Sequence, residues 1–423
     1  MKTEIKQRIE QIRRGEVPER YVKTALGLAP ANWKRYTFGD IYTERKEPGD
    51  ENLPLLMVSI HSGVSDGEVD AAELPKQVKR IEDKSQYKKA VSGDLVFNMM
   101  RAWQGAIGTV RATGMVSPAY IVAEPNDKVY PLFMDYYSRT PQMINQIDQQ
   151  SYGVTDFRKR LYWDSFAPIG CILPPIEEQQ KIAAILTAQD KVIELKEKRL
   201  AEKQRQKKYL MQQLLTGKKR LPGFSGEWKV NRLRNITARH TKRNTIGNTN
   251  VLTISAQYGL INQAEFFNKA VASDDKSNYF LLEKGDFAYN KSYSNGYPFG
   301  AIKRLTRYEV GIVSPLYICF RIKEGSVSGE YLEQYFEAGL MNHVIQAFAQ
   351  EGARNHGLLN IAVDDFFNSK ILLPPPEEQT AIAEVLSTAD REIELLQQDI
   401  EQEKQKKKAL MQLLLTGIVR VKT

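Results

Sequence analysis

LPPIEEQQKIAAILTAQDKVIEL begins at Leu173 and returns without a gap as LPPPEEQTAIAEVLSTADREIEL at Leu373. The sequences that follow also match, since KKYLMQQLLTG at Lys207–Gly217 returns as KKALMQLLLTG at Lys407–Gly417. Over the two segments, 22 of 45 aligned positions are identical, which chance does not produce. A repeat of this length predicts two tandem structural units.

The regions upstream of these shared segments resemble each other more faintly. SGDLVFN at Ser92 corresponds to KGDFAYN at Lys284, GMVSPAYIV at Gly114 to GIVSPLYIC at Gly311, and Trp33 to Trp228. Each unit is therefore a variable domain followed by a shared segment. The boundaries that we predict are an N-terminal extension at 1–30, variable domains at 31–172 and 218–372, and shared segments at 173–217 and, with the tail, 373–423.

Each shared segment has the start and stop signals of one long helix. It opens with a Pro pair and two Glu, which suit the first turn, and it closes at Gly217 or Gly417, where a left-handed residue commonly ends a helix. Neither Gly nor Pro interrupts the run between these signals. A helix of about 40 residues would span roughly 60 Å.

Steps of four and three residues give each helix the seam of a coiled coil. The first seam contains Ile182, Leu186, Gln189, Ile193, Lys196, Leu200, Lys203, Lys207, Leu210 and Leu214, and the second contains Ile382, Leu386, Ala389, Ile393, Leu396, Ile400, Glu403, Lys407, Leu410 and Leu414. The first segment carries a net charge of +3 and the second −4, so we expect them to pair with each other. Because the second variable domain connects the two helices, the pair should be antiparallel. One variable domain should then lie at each end of the helix pair, and an approximate two-fold axis should relate the two domains. The alternative is that the helices are a spacer with a purely architectural role.

Composition predicts a cytoplasmic globular protein with an anionic partner. The chain of 423 residues has a net charge of +9, of which +6 lies in residues 218–372. No stretch has the roughly 20 apolar residues of a membrane span, and the polar N-terminus is unlike a secretory signal. Cys171 and Cys319 lie in apolar runs, which favours buried free thiols over a disulfide.

The variable domains have the patterns of a mixed α+β fold. LPLLMVSI, DLVFNMM, AIGTV and SPAYIVAEP are apolar or alternating runs bounded by Gly and Pro, which predicts strands. PLFMDYYSRTPQMINQI and GEYLEQYFEAGLMNHVIQAF are helical in pattern.

Several segments expected to be loops combine basic residues with amides, hydroxyls and aromatics, the groups that hold phosphates and read base edges. They occupy corresponding places in the two domains, after the GD-hydrophobic strand and before the LPP helix. For any single candidate residue, exposure to solvent or a role in the local turn explains the residue type as well as a base contact does. For Trp103 we expect packing in the protein rather than stacking on a base. The candidates are Arg101, Trp103, Gln104, Arg158, Lys159 and Arg160 in the first domain, and Lys291, Tyr293, Asn295, Tyr297, Arg354, Asn355 and His356 in the second.

Motifs of catalysis and metal binding are missing from the sequence. It contains no GxxxxGK[ST] phosphate loop, no HExxH helix, no CxxC pair and no Asn-Pro-Pro-aromatic motif of an amino-methyltransferase. His61, His240, His343 and His356 lack metal-ligand spacing, and His343 favours a structural role. We therefore predict neither a catalytic site nor a bound metal or cofactor in this chain.

Paired LPPxEEQ...LLTG helices that separate two divergent domains resemble the specificity subunit of type I restriction-modification systems. RLPGF at Arg220 and the VSPAY and VSPLY strands add to the resemblance, which covers nearly the whole chain. It implies that each variable domain recognises one half of a bipartite double-stranded DNA target, and that the helices set the spacing and dock methyltransferase subunits. It also implies that these partners use S-adenosylmethionine to methylate adenine, and that a motor nuclease subunit cleaves unmodified DNA.

The N-terminus departs from the family pattern, because about 30 residues precede the region equivalent to RLPGFSGEW. MKTEIKQRIEQIRRGE has the pattern of an added amphipathic helix, which would dock on the end of the helix pair, dock on a partner, or fray. Two other classes stay open at this point. A fused restriction enzyme would methylate DNA by itself, and a coiled-coil scaffold would show no salt-dependent, sequence-selective DNA binding.

Overall fold

A computed structural model describes residues 3–50, 52–60, 63–65, 86–153, 155, 159–255, 258–266, 275–293, 296–351 and 359–421. The chain forms two compact units, one of residues 1–196 and 399–423 and one of residues 197–398. Each unit therefore contains one variable domain and part of both shared segments. The domain boundaries predicted from the sequence are contiguous ranges and do not show that each unit shares both long helices. These boundaries stay predictions.

The first unit contains the N-terminal extension and the first variable domain. Its helices are α1 (Thr3–Arg13), α2 (Phe38–Ile41), α3 (Pro131–Tyr137), α4 (Pro141–Gln149) and α5 (Trp163–Phe166). Its strands are β1 (Tyr21–Thr24), β2 (Gly27–Pro30), β3 (Lys34–Thr37), β4 (Tyr42–Glu44), β5 (Val58–Ser59), β6 (Gly63–Val64), β7 (Lys88–Ala90), β8 (Leu95–Asn98), β9 (Ile107–Thr109), β10 (Gly114–Val116), β11 (Tyr120–Pro125) and β12 (Gly170–Leu173).

The centre of the first domain is an antiparallel four-stranded sheet of order β4-β11-β8-β9. All four residues of β8 are buried, as expected of a central strand that is covered on both faces. Phe38, Phe97 and Phe166 pack together in the core beneath the sheet. β3 pairs with β12, and β12 ends just before the first long helix. This strand pair and the start of the helix therefore belong to one unit.

The second unit contains the second variable domain, entered through the first long helix, α6 (Ile176–Leu214). Its strands are β13 (Lys229–Arg232), β14 (Thr237–Arg239), β15 (Leu252–Ser255), β16 (Gly259–Asn262), β17 (Phe280–Glu283), β18 (Phe287–Asn290), β19 (Ala301–Arg304), β20 (Val310–Val313), β21 (Ile318–Ile322), β22 (Gln350–Glu351), β23 (Leu359–Asn360) and β24 (Lys370–Leu373). Its helices are α7 (Leu233–Ile236), α8 (Gln263–Phe266), α9 (Gly329–Glu337), α10 (Asn342–Gln346) and α11 (Val363–Asn368), followed by the second long helix, α12 (Pro376–Leu414).

The second domain repeats the architecture of the first. Its four-stranded sheet has the order β14-β21-β18-β19, and β13 pairs with β24 as β3 pairs with β12. SGDLVFN and KGDFAYN become the equivalent strands β8 and β18. The mixed α+β fold and the equivalence of the two domains are thus confirmed.

The two segments predicted to be helical are helical, and each is divided into two helices. Pro141 starts α4 with Thr140 as its N-cap, so the first segment divides into α3 and α4. Gly339 adopts a φ of +69° and separates α9 from α10. In each case the breaking residue outweighs the helical periodicity around it.

Both long helices are confirmed, each with 39 residues. Gly217 and Gly417, three residues beyond the helix ends, have φ values of +69° and +71°, which are left-handed as predicted. No helix among the described residues is long and apolar enough to cross a membrane.

Within each unit, α6 and α12 contact each other in antiparallel order. In the first unit, Lys407 pairs with Asp190 at 2.6 Å, Gln189 donates to Glu403 at 2.7 Å, and Lys196 pairs with Asp399 at 2.8 Å. The second unit contains the pairs Lys203–Glu392 and Lys207–Asp390. The seam lysines thus face acidic residues, as the opposite segment charges predicted. The supercoil and the two-fold axis stay predictions.

Candidate nucleic-acid interface

In the first domain, β8 leads directly into an exposed turn. The side-chain oxygen of Asn98 accepts a hydrogen bond from the Met100 amide at 2.9 Å, which turns the chain out of the sheet. Residues Ala102–Gln104 then form one 3-10 turn, and Gly105 ends it with a φ of +104°. We call residues 99–105 the first turn loop. It holds Arg101 and Gln104 on the surface at the end of a rigid, buried strand.

A second segment of the same domain lies against this loop. Leu161 donates its amide to the Met99 carbonyl at 2.8 Å. Tyr152 and Arg160 exchange two backbone hydrogen bonds of 2.9 and 2.8 Å, so these two residues lie opposite each other. The fold thus brings together two segments that are about 50 positions apart in sequence, as an interface built from both would require.

The predicted residues of the first domain differ in their surroundings. Arg101 and Gln104 are exposed, whereas Lys159 and Arg160 are half-buried. Trp103 packs against the core and donates its indole N–H to the Met100 carbonyl at 3.0 Å, while the Lys159 ammonium lies 5.0 Å from its ring centroid. Lys159 also pairs with Asp148 at 2.6 Å. Trp103 therefore packs in the protein, as we expected from the sequence. Arg158 lies outside the described residues.

The second domain builds the same junction with other side chains. Asn290 ends β18, and its side-chain oxygen accepts from the Ser292 amide at 3.1 Å, as Asn98 does in the first domain. Leu359 then donates to the Lys291 carbonyl at 3.1 Å, in the place of the Leu161–Met99 bond. Lys291 is half-buried, and Tyr293 is 63% exposed beside it. Asn295, Arg354, Asn355 and His356 lie outside the described residues.

Tyr297 belongs to a buried polar network, which sequence reasoning did not anticipate. Its hydroxyl donates to Glu337, and Lys303 in turn donates to the Tyr297 oxygen at 2.9 Å. Burial, reinforced by the Glu337 charge, raises the pKa of Tyr297 well above its ordinary value, so the hydroxyl stays protonated. This hydroxyl holds β19 on α9.

Three large side chains on the first turn loop or on the segment hydrogen-bonded to it are exposed. Tyr152 is 63% exposed, Tyr162 is 54% exposed and Met100 is 39% exposed. Exposed aromatic residues beside arginines suit a surface that contacts nucleobases. Sequence reasoning missed these three residues, although the basic run next to aromatic residues in RKRLYW was a usable signal for Tyr162.

An ion pair between a buried carboxylate and an arginine fixes the start of the central strand in each domain. Asp94, at the start of β8, pairs with Arg45 at 2.8 Å, and Asp286, at the start of β18, pairs with Arg321 at 2.6 Å. Burial raises the pKa of Asp94 despite this partner. The arginines come from different strands in the two domains, so the pairing is shared although the sequence positions are not.

A second repeated arrangement holds each domain on its long helices. Glu178, in the first turn of α6, is fully buried and accepts from the Trp33 indole at 3.2 Å and from the Arg420 guanidinium at 2.6 and 2.7 Å. In the second unit Glu378 accepts from Trp228 at 3.0 Å and from both Arg220 donors. Arg220 and Arg420 are exactly 200 positions apart, so the repeat itself was a signal for this cluster that sequence reasoning passed over.

The cysteines have the burial that was predicted for them. Both Cys171 and Cys319 are free and buried, and burial raises the pKa of each thiol to about 12. Within the described ranges, no group of three or more His, Cys, Asp or Glu side chains is placed to hold a metal ion.

Two copies of one α+β domain, each with a loop pair at the end of its central strand and each held on two long helices, define a tandem recognition protein. The chain belongs to the family of the type I restriction modification DNA specificity domain, whose model matches residues 73–204 and 226–405. Proteins of this family are DNA-specificity subunits and are non-catalytic.

Its relatives agree with this assignment. The chain is 25% identical to the type I restriction enzyme MjaVIII specificity subunit of Methanocaldococcus jannaschii, over 80% of this chain and 83% of the relative. It is 24% identical to the putative MjaX specificity subunit of the same organism, over 96% and 98%. Its fold is similar to the crystal structure of a type I restriction-modification system S subunit from M. genitalium, with a TM-score of 0.54, 9% identity and coverage of 93% and 97%.

Proposed function

We propose that this specificity subunit reads a bipartite double-stranded DNA target, one half with each variable domain. The observation that carries the proposal is the equivalent placement of the two loop pairs. In each domain the side chain of an Asn turns the chain at the end of the central strand, and a leucine from a later segment, Leu161 or Leu359, donates its amide to the residue that follows this Asn. The framework is shared while the side chains differ, as expected of two readers for different base sequences.

In the first domain the exposed groups suit direct readout of bases. Arg101 and Gln104 lie on the same turn, and these side chains form paired hydrogen bonds with guanine and adenine edges respectively. Lys159 and Arg160 lie on the neighbouring loop, where their positive charges suit phosphate contacts. Tyr152 and Tyr162 extend the surface with apolar area that suits nucleobase or thymine-methyl contacts.

The paired helices are the proposed site for methyltransferase subunits. In the first unit α6 exposes Ile185, Val192 and Leu195, and the intervals of seven and three residues place them on one helical face. The seam residues Ile182, Leu186 and Ile193 are buried, so the exposed stripe is a separate face. A helix of a partner subunit would cover such a stripe. We further propose that this partner binds S-adenosylmethionine and that a motor nuclease subunit completes the complex.

Reconstitution with the cognate methyltransferase subunit tests this function. The complex, but neither the isolated chain nor the isolated partner, should methylate DNA that carries an intact bipartite site. S-adenosylmethionine turnover by the chain alone would instead support a fused enzyme. Binding that is insensitive to both sequence and salt would support a scaffold.

A further inference from the structure

The two long helices end against their recognition domains through different connections. In the second unit, residues 218–227 link Gly217 directly to Trp228 at the start of the second domain. In the first unit, Gly417 lies against a domain that precedes it by almost 400 positions, so no short linker joins the two. Contacts between distant segments must hold the end of α12 in place.

The N-terminal extension supplies contacts for which the described residues of the second unit show no counterpart. The Tyr21 hydroxyl donates a buried hydrogen bond to the Gly417 carbonyl at 2.6 Å. Arg8 donates to the Ile418 carbonyl at 3.1 Å, and its guanidinium lies 5.4 Å from the Tyr21 ring centroid. Burial raises the pKa of Tyr21, which keeps its hydroxyl a donor over the physiological range. The carbonyls that follow α12 are thus bound by α1 and by the start of β1.

The close approach of Pro30 to Gly417 fixes the same junction. A Cβ at Gly417 would come within 2.6 Å of the Pro30 ring, so the proline sits directly on the helix end. At Gly217 the nearest atoms to such a Cβ belong to Trp228 at 3.5 Å, an ordinary contact distance. The repeated helix ends therefore differ in what packs on them, although their sequences are nearly the same.

Apolar packing alone does not explain the attachment. Between the extension, the α3–α4 connection and the last turns of α12 lies a cavity of about 820 Å³. Leu26, Leu28, Met411 and Leu415 are among the residues that line it. The hydrogen bonds of Arg8 and Tyr21 and the Pro30 contact therefore add to the buried Leu414 and Leu415 and to the Arg420–Glu178 pair, which hold the same helix end.

We propose that residues 3–30 act as a staple that holds the end of α12 on the first recognition domain and so positions this domain for DNA reading. The staple does through non-covalent contacts what residues 218–227 do covalently in the second unit. Tyr21, Arg8 and Pro30 are its positioning residues. The DNA part of this inference rests on the proposed function, whereas the attachment itself does not.

Hydrogen exchange tests the attachment within one molecule. In the full chain with Arg8→Ala and Tyr21→Phe, amides of residues 410–421 should exchange about tenfold faster or more, because two hydrogen bonds are lost. Residues 210–221 are the internal control and should be unchanged, and Lys6→Ala, an exposed change on α1, should leave both segments unchanged. Equal acceleration in both segments, or none in residues 410–421, would overturn the staple.

A glycine pair provides a second, independent variant. Gly417→Ala and Gly217→Ala carry the same left-handed strain, but only Gly417→Ala clashes with Pro30. Gly417→Ala should therefore accelerate exchange at its helix end more than Gly217→Ala does at its own. Adding Pro30→Gly should reduce the excess, and the remainder reflects the Trp33 ring, which lies 3.1 Å from the same Cβ position. Equal effects of the two alanines would count against the staple.

Methylation by the reconstituted complex tests positioning. Arg8→Ala with Tyr21→Phe should reduce, about tenfold, the discrimination between correct and altered first half-sites, and leave that for second half-sites unchanged. Faster exchange with unchanged discrimination at both half-sites would overturn the positioning role and leave the proposed function intact. If the wild-type complex methylates no bipartite site, the proposed function fails, while the exchange result still decides the attachment.

Discussion

Arg101 and Gln104 are the residues on which base recognition in the first half-site is expected to depend. They are exposed on a turn whose backbone is fixed by Asn98 and Gly105, so little ordering is needed when they contact DNA. Trp103, between them, instead packs on the core and holds the turn in place. One turn thus combines two reading side chains with one structural side chain.

Arg101→Ala should weaken recognition at one position of the first half-site by about 1–3 kcal/mol, the usual value of a bidentate arginine–guanine contact. Arg354→Ala should have the same effect on the second half-site, an expectation that rests on its sequence position. Competition binding with single-base variants of the target measures both effects. A uniform loss over all sequences, with a shallower salt dependence, would assign the arginine to phosphate instead.

The cysteines offer a check on residue burial. Because the pKa of Cys171 and of Cys319 is raised to about 12, almost no thiolate exists at pH 8. Neither thiol should react with an alkylating reagent in the folded chain at pH 8, and both should react in denaturant. Mass spectrometry of the alkylated protein gives the answer, and rapid labelling of the folded chain would contradict the core described above.

At the scale of elements, the sequence predicted most where the signal was local. The Pro-Glu starts, the left-handed Gly217 and Gly417, and the opposite charges of the helices together predicted two long antiparallel helices. The sequence did not predict that Thr140–Pro141 interrupts a helix, nor that Arg420 reaches Glu178 from 242 positions away. Contacts at such separations depend on the folded topology, which short motifs do not encode.

The pairing of the long helices should depend on acid pH through Glu403. Hydrogen bonds from Gln189, Lys196 and Lys406 lower the pKa of Glu403 to about 2, from an ordinary value of 4.5. A lowered pKa means that Glu403 stabilises the fold fully above pH 4.5 and that this stabilisation is lost as the pH falls toward 2.

Glu403→Gln should therefore unfold at a lower temperature than the wild type at pH 7, and the difference should shrink as the pH falls from 4.5 toward 2. Glu401→Gln is the matched control, because Glu401 accepts a hydrogen bond from Gln405 on the same helix. Thermal unfolding followed by circular dichroism measures both variants. A difference between Glu403→Gln and wild type that is independent of pH would mean that the Glu403 charge plays no part in pairing.

In the whole molecule, each of the two units contains part of both long helices. The family resemblance implies that these helices set the spacing between half-sites. Deleting one heptad from each, residues 196–202 and 396–402, should then shorten the spacing by roughly 10 Å, since a helix rises about 1.5 Å per residue. The preferred gap should become about three base pairs shorter, since DNA rises about 3.4 Å per pair.

The same deletion rotates one half-site around the duplex, so weaker binding is expected unless the DNA bends to compensate. Binding selections on targets with variable gaps measure the preferred gap and the affinity together. An unchanged gap with full affinity would show that the helices do not measure the distance between half-sites.

The two variable domains should read their half-sites independently of each other. Residues 31–172 should be replaced with the first variable domain of another family member, and the cells should carry the methyltransferase partner. Single-molecule methylome sequencing then reports the motif, its gap and the modified bases together. We predict that one half of the motif changes while the other half stays the same. A change in both halves, or in neither, would contradict the account of two separate readers.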